Sequence, residues 1–449
     1  MGCPSVYPTK TTIYKKDQTW NGYTLFNTAN NKGAVLIDMN GNEVHAWPKA
    51  LGALSKMLPN GDLLCCSEIE HNFQCHEDKK IVQLDWYGNV IWSFDRFERL
   101  VDEFGITTWS ARTHHDYQRE GNPVGYYSPE LLAKTDSGNS LLLCHRNIQN
   151  KQISNKPLLD DVIVEIDWQG NIIWEWAFND HFFELGFDQI AKKVIYHNPN
   201  LISHGEIGDY LHINSLSRLG PNKHFDNGHQ NFHPDNIIWS SREANIVGIT
   251  SRQTGKVVWQ IGPDYTEARF KHLDWIIGQH HAHLIPKGLP GAGNILLFDN
   301  GWKAGYGQST PNSSDGLKNA CRDYSRVLEI DPISFEIIWQ YSANEQGTKQ
   351  GAKVTINKYQ FYSPHVSSAQ RLLNGNTLIT EGSNGRLIEV TKENRIVWEY
   401  ISPYQSSGLE AHNKIYRAYR VPYDWLPQLS KGSEIALPDI DNRRFHIKG

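Results

Sequence analysis

The sequence predicts an all-β chain, a six-bladed β-propeller of four-stranded antiparallel blades, and two recurring phrases carry that prediction. The first is a turn followed by an aromatic-bearing strand: "GNVIWSFD" at 88–95, "GNIIWEWA" at 170–177, "GKVVWQIG" at 255–262, "FEIIWQYS" at 335–342 and "NRIVWEYI" at 394–401. A degenerate copy, "GNEVHAWP", stands at 41–48. Each follows a short alternating run such as "VLIDM", "VQLDW" or "VEIDW", so each reads as two strands around a turn. The second phrase is a Gly/Asn turn leading into an apolar strand: "NGDLLCCSE" at 60–68, "SGNSLLLCHRN" at 137–147, "PDNIIWSSRE" at 234–243, "AGNILLFDNG" at 292–301 and "NGNTLITEGSNG" at 374–385.

One unit is therefore an inner strand running into the Gly/Asn turn, a second strand, and the outer hairpin. Such a sheet cannot bury both faces alone, and radial repetition lets each sheet pack on the next. The N-terminal copy, "NGYTLFNTANNKG" at 21–33, lacks an innermost strand. Tail residues around 411–430 are placed to supply it, closing the ring by pairing the two chain ends. The expected layout is an N-terminal extension at 1–20, the propeller at 21–430 and a C-terminal tail at 431–449. Trp92, Trp174, Trp259, Trp339 and Trp398 should pack at equivalent places between blades. Two long segments, 119–130 and 301–325, read as a shaped loop over a channel mouth and a polar rim, or as plain connections.

The 449 residues can bury a large core, and a formal charge of -5 gives no electrostatic case for nucleic acid or an anionic membrane. No apolar run approaches the roughly 18–20 residues of a membrane-spanning helix. Six cysteines without C-x-x-C pairs are expected to be reduced and inert. The opening "MGCPSVYPTK" has no apolar signal core, which places the sequence as it stands in the cytoplasm. A signal peptide removed beforehand would place it in the periplasm or outside the cell.

Propellers bind ligands at the mouth of the central channel, lined by their innermost strands. The histidines concentrate in the segments expected to form those strands: His71 and His76, His114 and His115, His212 with Asn214, then His280, His281 and His283, and finally His365. Coming from comparable places in different units, they should converge on one axis. A ring of imidazoles suits nucleophilic or acid–base catalysis, anion binding or metal ligation.

The ordered set "HHD", "HIN", "SSRE", "GQHHA" and "FDNG" on a six-bladed, Trp-hairpin propeller resembles the arylsulfotransferase family. The resemblance implies transfer of a sulfuryl group from an aryl sulfate to a phenolic acceptor, with a histidine sulfated in between. It places that histidine on His280 and the sulfuryl-binding groups on His115, His212, Asn214 and Arg242. His71, His114, His281, His283 and His365 are expected to extend the substrate pocket. A small aromatic molecule is the implied partner, and no cofactor is required.

Two other readings stay open. His71, His115, His212, His280 and His365 offer three or four imidazoles to copper, zinc or iron, which would make an oxidoreductase or hydrolase. A non-catalytic propeller binding a protein partner would explain the fold but not the axial imidazoles.

Overall fold

Alternation and turn chemistry set the strands. Apolar residues two apart share a sheet face, and an aspartate ending the third strand of a unit caps the turn that follows. Asp38, Asp85 and Asp167 do this through Oδ1, which accepts the backbone N–H of Asn42, Asn89 and Asn171 at 2.9, 2.8 and 2.8 Å. In this computed structural model, which describes residues 9–70, 77–101, 105–202, 206–342, 361–408 and 411–437, the chain is an all-β propeller fold. Among the described residues helices are few and short, the longest α-helix being Gln189–His197.

Three antiparallel sheets hold four strands each. Their orders are Ala418–Val421, Tyr23–Asn27, Ala34–Ile37, Glu43–Trp47; then Ile213–Arg218, Ile237–Ser241, Ile246–Thr250, Val257–Ile261; then His280–Leu284, Ile295–Asp299, Arg326–Ile330, Ile337–Ser342. A fourth sheet runs Ser368–Arg371, Thr377–Glu381, Arg386–Val390, Ile396–Ile401 and gains Lys10–Tyr14 at its outer edge. That fifth strand falls within the segment expected to be an extension. Ala418–Val421 pairs Tyr23–Asn27 from Tyr23↔Val421 to Phe26↔Ala418, using the tail segment picked out in the sequence.

The two remaining units are not separate sheets. Leu51–Met57, Leu63–Glu70, Glu77–Leu84 and Val90–Phe94 join Thr113–Arg119, Ser140–Ile148, Leu158–Ile166 and Ile172–Ala177 where Thr113 pairs with Asp78. The cause is length: Glu77–Leu84 has eight residues, whereas its outer neighbour Val90–Phe94 has five and pairs only from Ile81 onward. The start of the longer strand is left free to take a second partner. Segment 301–325 also contains a small hairpin, Ala304–Tyr306 with Leu317–Ala320.

The repeated tryptophans join sheet to sheet. Trp47 Nε1 donates to Asp85 O, Trp92 to Trp168 O, Trp176 to Gly255 O, Trp259 to Pro332 O, Trp339 to Lys392 O and Trp398 to Met39 O, at 2.6–3.2 Å. Each acceptor lies in or beside the outer turn of another unit. One such bond contributes about 0.5–1.5 kcal/mol net. In the third unit Trp176 makes it, and the expected Trp174 does not. "IIWEWA" places two indoles on one face two residues apart, and Trp176 wins by seating against Phe178 and His181. Trp174 stacks under the Arg252 guanidinium instead.

The first strands of successive units, from Leu51–Met57 through Thr113–Arg119, Ile213–Arg218 and His280–Leu284 to Ser368–Arg371 and Ala418–Val421, touch one another in turn. Side chains from distant parts of the sequence therefore meet along one line. Cys65, Cys66 and Cys144 are buried free thiols and Cys321 is exposed.

Candidate functional site

Four of these first strands open with the same irregularity, which in Leu51–Met57 falls between Leu51 and Ser55. In the other three the ladder slips between Thr113 and Tyr117, between Ile213 and Ser215, and between His280 and His283. Beside the slips His115, His212 and His281 adopt φ of 56°, 50° and 54°. A non-glycine residue held there costs of order ~1–3 kcal/mol, and a bulge re-aims side chains that strict alternation would send to opposite faces.

His280 is 2% exposed, and its Nδ1 lies 2.7 Å from Asn300 Oδ1. The Asn300 amide is fixed in turn, because Nδ2 donates to the carbonyls of Ser363 and Val366 at 2.7 and 2.9 Å. Oδ1 must therefore face His280 as an acceptor, which puts the imidazole proton on Nδ1 and the lone pair on Nε2. Burial, reinforced by the Arg242 charge, holds His280 well below the ordinary imidazole range, so the ring is neutral near pH 7. The residues before it are structural. Gln279 Nε2 donates to Ser240 Oγ, Ser241 O and Ile246 O, and a Cβ on Gly278 (φ +61°) would meet Trp302 O at 2.8 Å.

His212 is the opposite case. Burial disfavours its charge, but the Asp209 carboxylate, 2.5 Å from Nδ1, outweighs burial and raises it above the ordinary value. Its backbone carbonyl accepts from Arg242 N at 3.1 Å, which ties the turn carrying Arg242 to the histidine. Arg242 pairs with Glu243 through Nη1, and its charge is felt by His280, His212 and His365. Asn214 is buried and donates Nδ2 to Gln279 O at 2.6 Å.

The His115 ring stands edge-on to that of His212, with centroids 4.7 Å apart, and its Nδ1 lies 2.7 Å from His114 Nδ1. Burial, then the charges of His212 and His280, keep it well below the ordinary range. His114 is lowered in the same direction, by burial and then by His145, on which it stacks. His145 Nδ1 meets Glu77 Oε1 at 3.0 Å. Burial resists the Glu77 charge, yet hydrogen bonds from His145 and Arg112 hold that carboxyl down to about 2.

His115, His212, Arg242 and His280 thus share one neighbourhood, with Asn214 tied to its backbone. His365 borders it; burial and then Lys414 push it down to about 4. His281 and His283 lead away along the channel: His283 Nε2 meets Tyr126 OH at 2.9 Å, and His281 Nε2 meets Tyr419 OH at 3.4 Å. His71 and His76 lie outside the described residues. A cavity of about 590 Å³ opens over His114 and His115, lined also by Leu51, Leu54, Val366, Lys414 and Tyr416. That size falls within the usual range of small-molecule sites, about 300–1,000 Å³.

Sequence reading missed Asn300, Asp209, Lys414 and Tyr416. Asn300 sits in the quoted "FDNG" and Asp209 three residues before His212, so proximity in sequence was the available signal. Among the described residues, one group of His, Cys, Asp and Glu brings three donor atoms within 4.8 Å of one another: His114, His145 and Asp161. It shares no member with the axial set considered above. No helix of the described residues is long and apolar enough to cross a membrane.

The sequence matches the model of the family described as Arylsulfotransferase (ASST) over residues 7–419. No curated protein matches it. Among solved structures, a protein of unknown function from Bacteroides caccae superposes with a TM-score of 0.44 at 12% identity, covering 89% of this chain and 99% of that one. The Dos1 propeller gives 0.35 at 8%, with 89% and 73% covered. The periplasmic gluconolactonase of Pseudomonas aeruginosa gives 0.34 at 9%, with 89% and 99% covered.

Proposed function

The chain belongs to the arylsulfotransferase family, and from that premise we propose that it carries a sulfuryl group from an aryl sulfate to a phenolic acceptor on His280. One observation carries the reading: Asn300 fixes the proton of His280 on Nδ1, so a neutral ring offers its Nε2 lone pair beside the Arg242 charge.

In the first half-reaction His280 Nε2 attacks sulfur, forming the N–S bond as the bond from sulfur to the aryl oxygen breaks. The departing oxygen takes the electron pair and a proton from His212, whose Asp209 partner favours the imidazolium. In the second half-reaction the acceptor phenol returns a proton to His212 while its oxygen attacks sulfur, and the N–S bond breaks. Arg242, His115 and the remaining amide hydrogen of Asn214 donate to the sulfuryl oxygens as charge spreads over them. The neutral Asn300 acceptor suits this cycle, because a carboxylate there would stabilise the sulfo-imidazolium and slow its second transfer.

The same reading takes the ring as six blades, closed by Tyr23–Asn27 on Ala418–Val421. The series of indole bonds, returning from Trp398 to Met39 O, supports it.

Incubation with a nitrophenyl sulfate tests the mechanism. Release of nitrophenol should leave an acid-labile sulfuryl mass increment on the peptide containing "GQHHAHLIP". Folded protein that releases no phenol and carries no modified peptide across neutral pH would sink the reading.

A further inference from the structure

Beside His115, three side chains occupy three successive strands of one sheet: His114 on Thr113–Arg119, His145 on Ser140–Ile148 and Asp161 on Leu158–Ile166. His145 and Asp161 stand directly opposite in the ladder. All three are buried, at 2%, 2% and 0% exposure. Asp161 Oδ1 lies 3.1 Å from His114 Nε2 and 3.8 Å from His145 Nε2. Around a tetrahedral ion with bonds of ~2.0–2.2 Å, neighbouring ligand atoms stand roughly 3.3–3.6 Å apart.

The outer atom of each side chain is already held. His114 Nδ1 meets His115 Nδ1 at 2.7 Å, and Asp161 Oδ2 accepts the Ile213 N–H at 3.2 Å. His145 Nδ1 meets Glu77, which Arg112 grips through both Nε and Nη2 at 3.0 and 2.9 Å. A carboxylate behind a histidine is the support that metal-bound imidazoles ordinarily have. Facing inward, His114 Nε2 and Asp161 Oδ1 make no hydrogen bond among the described residues, their close approach being misaligned. A buried carboxylate oxygen without a donor is costly unless something fills the space before it.

We propose that His114, His145 and Asp161 bind one divalent transition-metal ion of the zinc class. Two imidazoles and one carboxylate suit zinc, iron or manganese better than calcium or magnesium. The two rings stack 3.5 Å apart at 9°, so loading must fan them open at the Nε2 edge. The consequence rests on the sulfuryl-transfer reading. With the ion on Nε2, neutral His114 keeps its proton on Nδ1 and donates to His115 Nδ1. The His115 proton then sits on Nε2, as a donor to a sulfuryl oxygen needs.

Cobalt is the probe. Wild-type protein, dialysed against chelator and titrated with Co²⁺, should take up one equivalent with visible d–d bands that Zn²⁺ displaces. Asp161→Asn and His145→Gln should each weaken uptake more than ~100-fold, and Glu77→Gln by about 10–100-fold. Near-UV circular dichroism checks each fold. Should one ligand variant unfold, the other carries the comparison, and X-ray absorption of the cobalt protein must show two imidazoles. No uptake by the wild type, uptake unchanged in the folded variants, or a ligand set without two imidazoles would overturn the site. Uptake is read without any sulfate ester, so its failure leaves the sulfo-His280 test untouched, and the reverse also holds.

Discussion

The neighbourhood of His280 and the channel interior beyond it are built from the same first strands, and both are dense in buried polar groups. They differ in what those groups bond to. In the interior, Asp116 takes Lys56 at 2.6 Å and Arg417 at 2.9 Å, Arg417 reaches Tyr419 OH, and His283 meets Tyr126 and the His281 carbonyl. These groups bond chiefly to one another and form a plug, in which Arg417 Nε and His281 Nδ1 keep no hydrogen-bond partner among the described residues. Around His280, by contrast, His280, His212 and His115 are each held through Nδ1, by Asn300, Asp209 and His114. A histidine count does not separate the two regions, whereas the partners of those histidines do.

Replacing histidines in the two regions should separate them most sharply. His280→Ala should lower turnover of an aryl sulfate by roughly 10⁴-fold or more, to background, and abolish the mass increment, with thermal unfolding unchanged. His281→Asn, which tolerates the left-handed backbone, should stay within about tenfold of wild type. Equal losses would mean that the plug belongs to the site.

Asp116→Asn tests the interior directly. It leaves Lys56 and Arg417 buried around a lost counter-charge and should cost about 3–5 kcal/mol in urea unfolding, while wild-type-like stability would show the plug to be hydrated. At the other region Arg242→Gln should raise the barrier by about 2.7–4 kcal/mol, slowing both half-reactions yet still permitting the increment. Loss of fold stability without loss of rate would make Arg242 structural.

The smallest effect is in pH. Burial depresses His283 to about 4, against ~6.5 when unfolded. Below about 6.5 the unfolded chain takes a proton that the folded chain refuses until about 4, so stability falls as pH drops through that window. One such group contributes roughly 3 kcal/mol across it. His283→Gln should flatten the melting temperature against pH between 6.5 and 4; an unchanged slope would assign the acid sensitivity to other groups.

The repeat, the hairpins and the tail strand were legible because alternation and turn residues are local signals. So was the convergence of His115, His212 and His280, since position within a repeat substitutes for position in space. Asn300 was not: its orientation depends on carbonyls of Ser363 and Val366 more than sixty residues away. Trp176 displaced Trp174 through ring contacts that spacing cannot rank. The eight-stranded join depends on one strand outrunning its neighbour, and strand ends are poorly marked in sequence. His145 passed as part of a strand phrase, because its partners Glu77 and Asp161 come from two other strands.

Tyr23–Asn27 pairs with a strand that begins at Ala418, nearly the whole chain later. On a ribosome adding ~5–20 residues per second, that early strand waits on the order of tens of seconds with one edge unpaired. An exposed edge is a template for wrong partners, including the same segment of a neighbouring nascent chain. Expression yield should therefore respond to elongation rate and to chaperones that shield young chains, even for variants whose finished fold is fully stable.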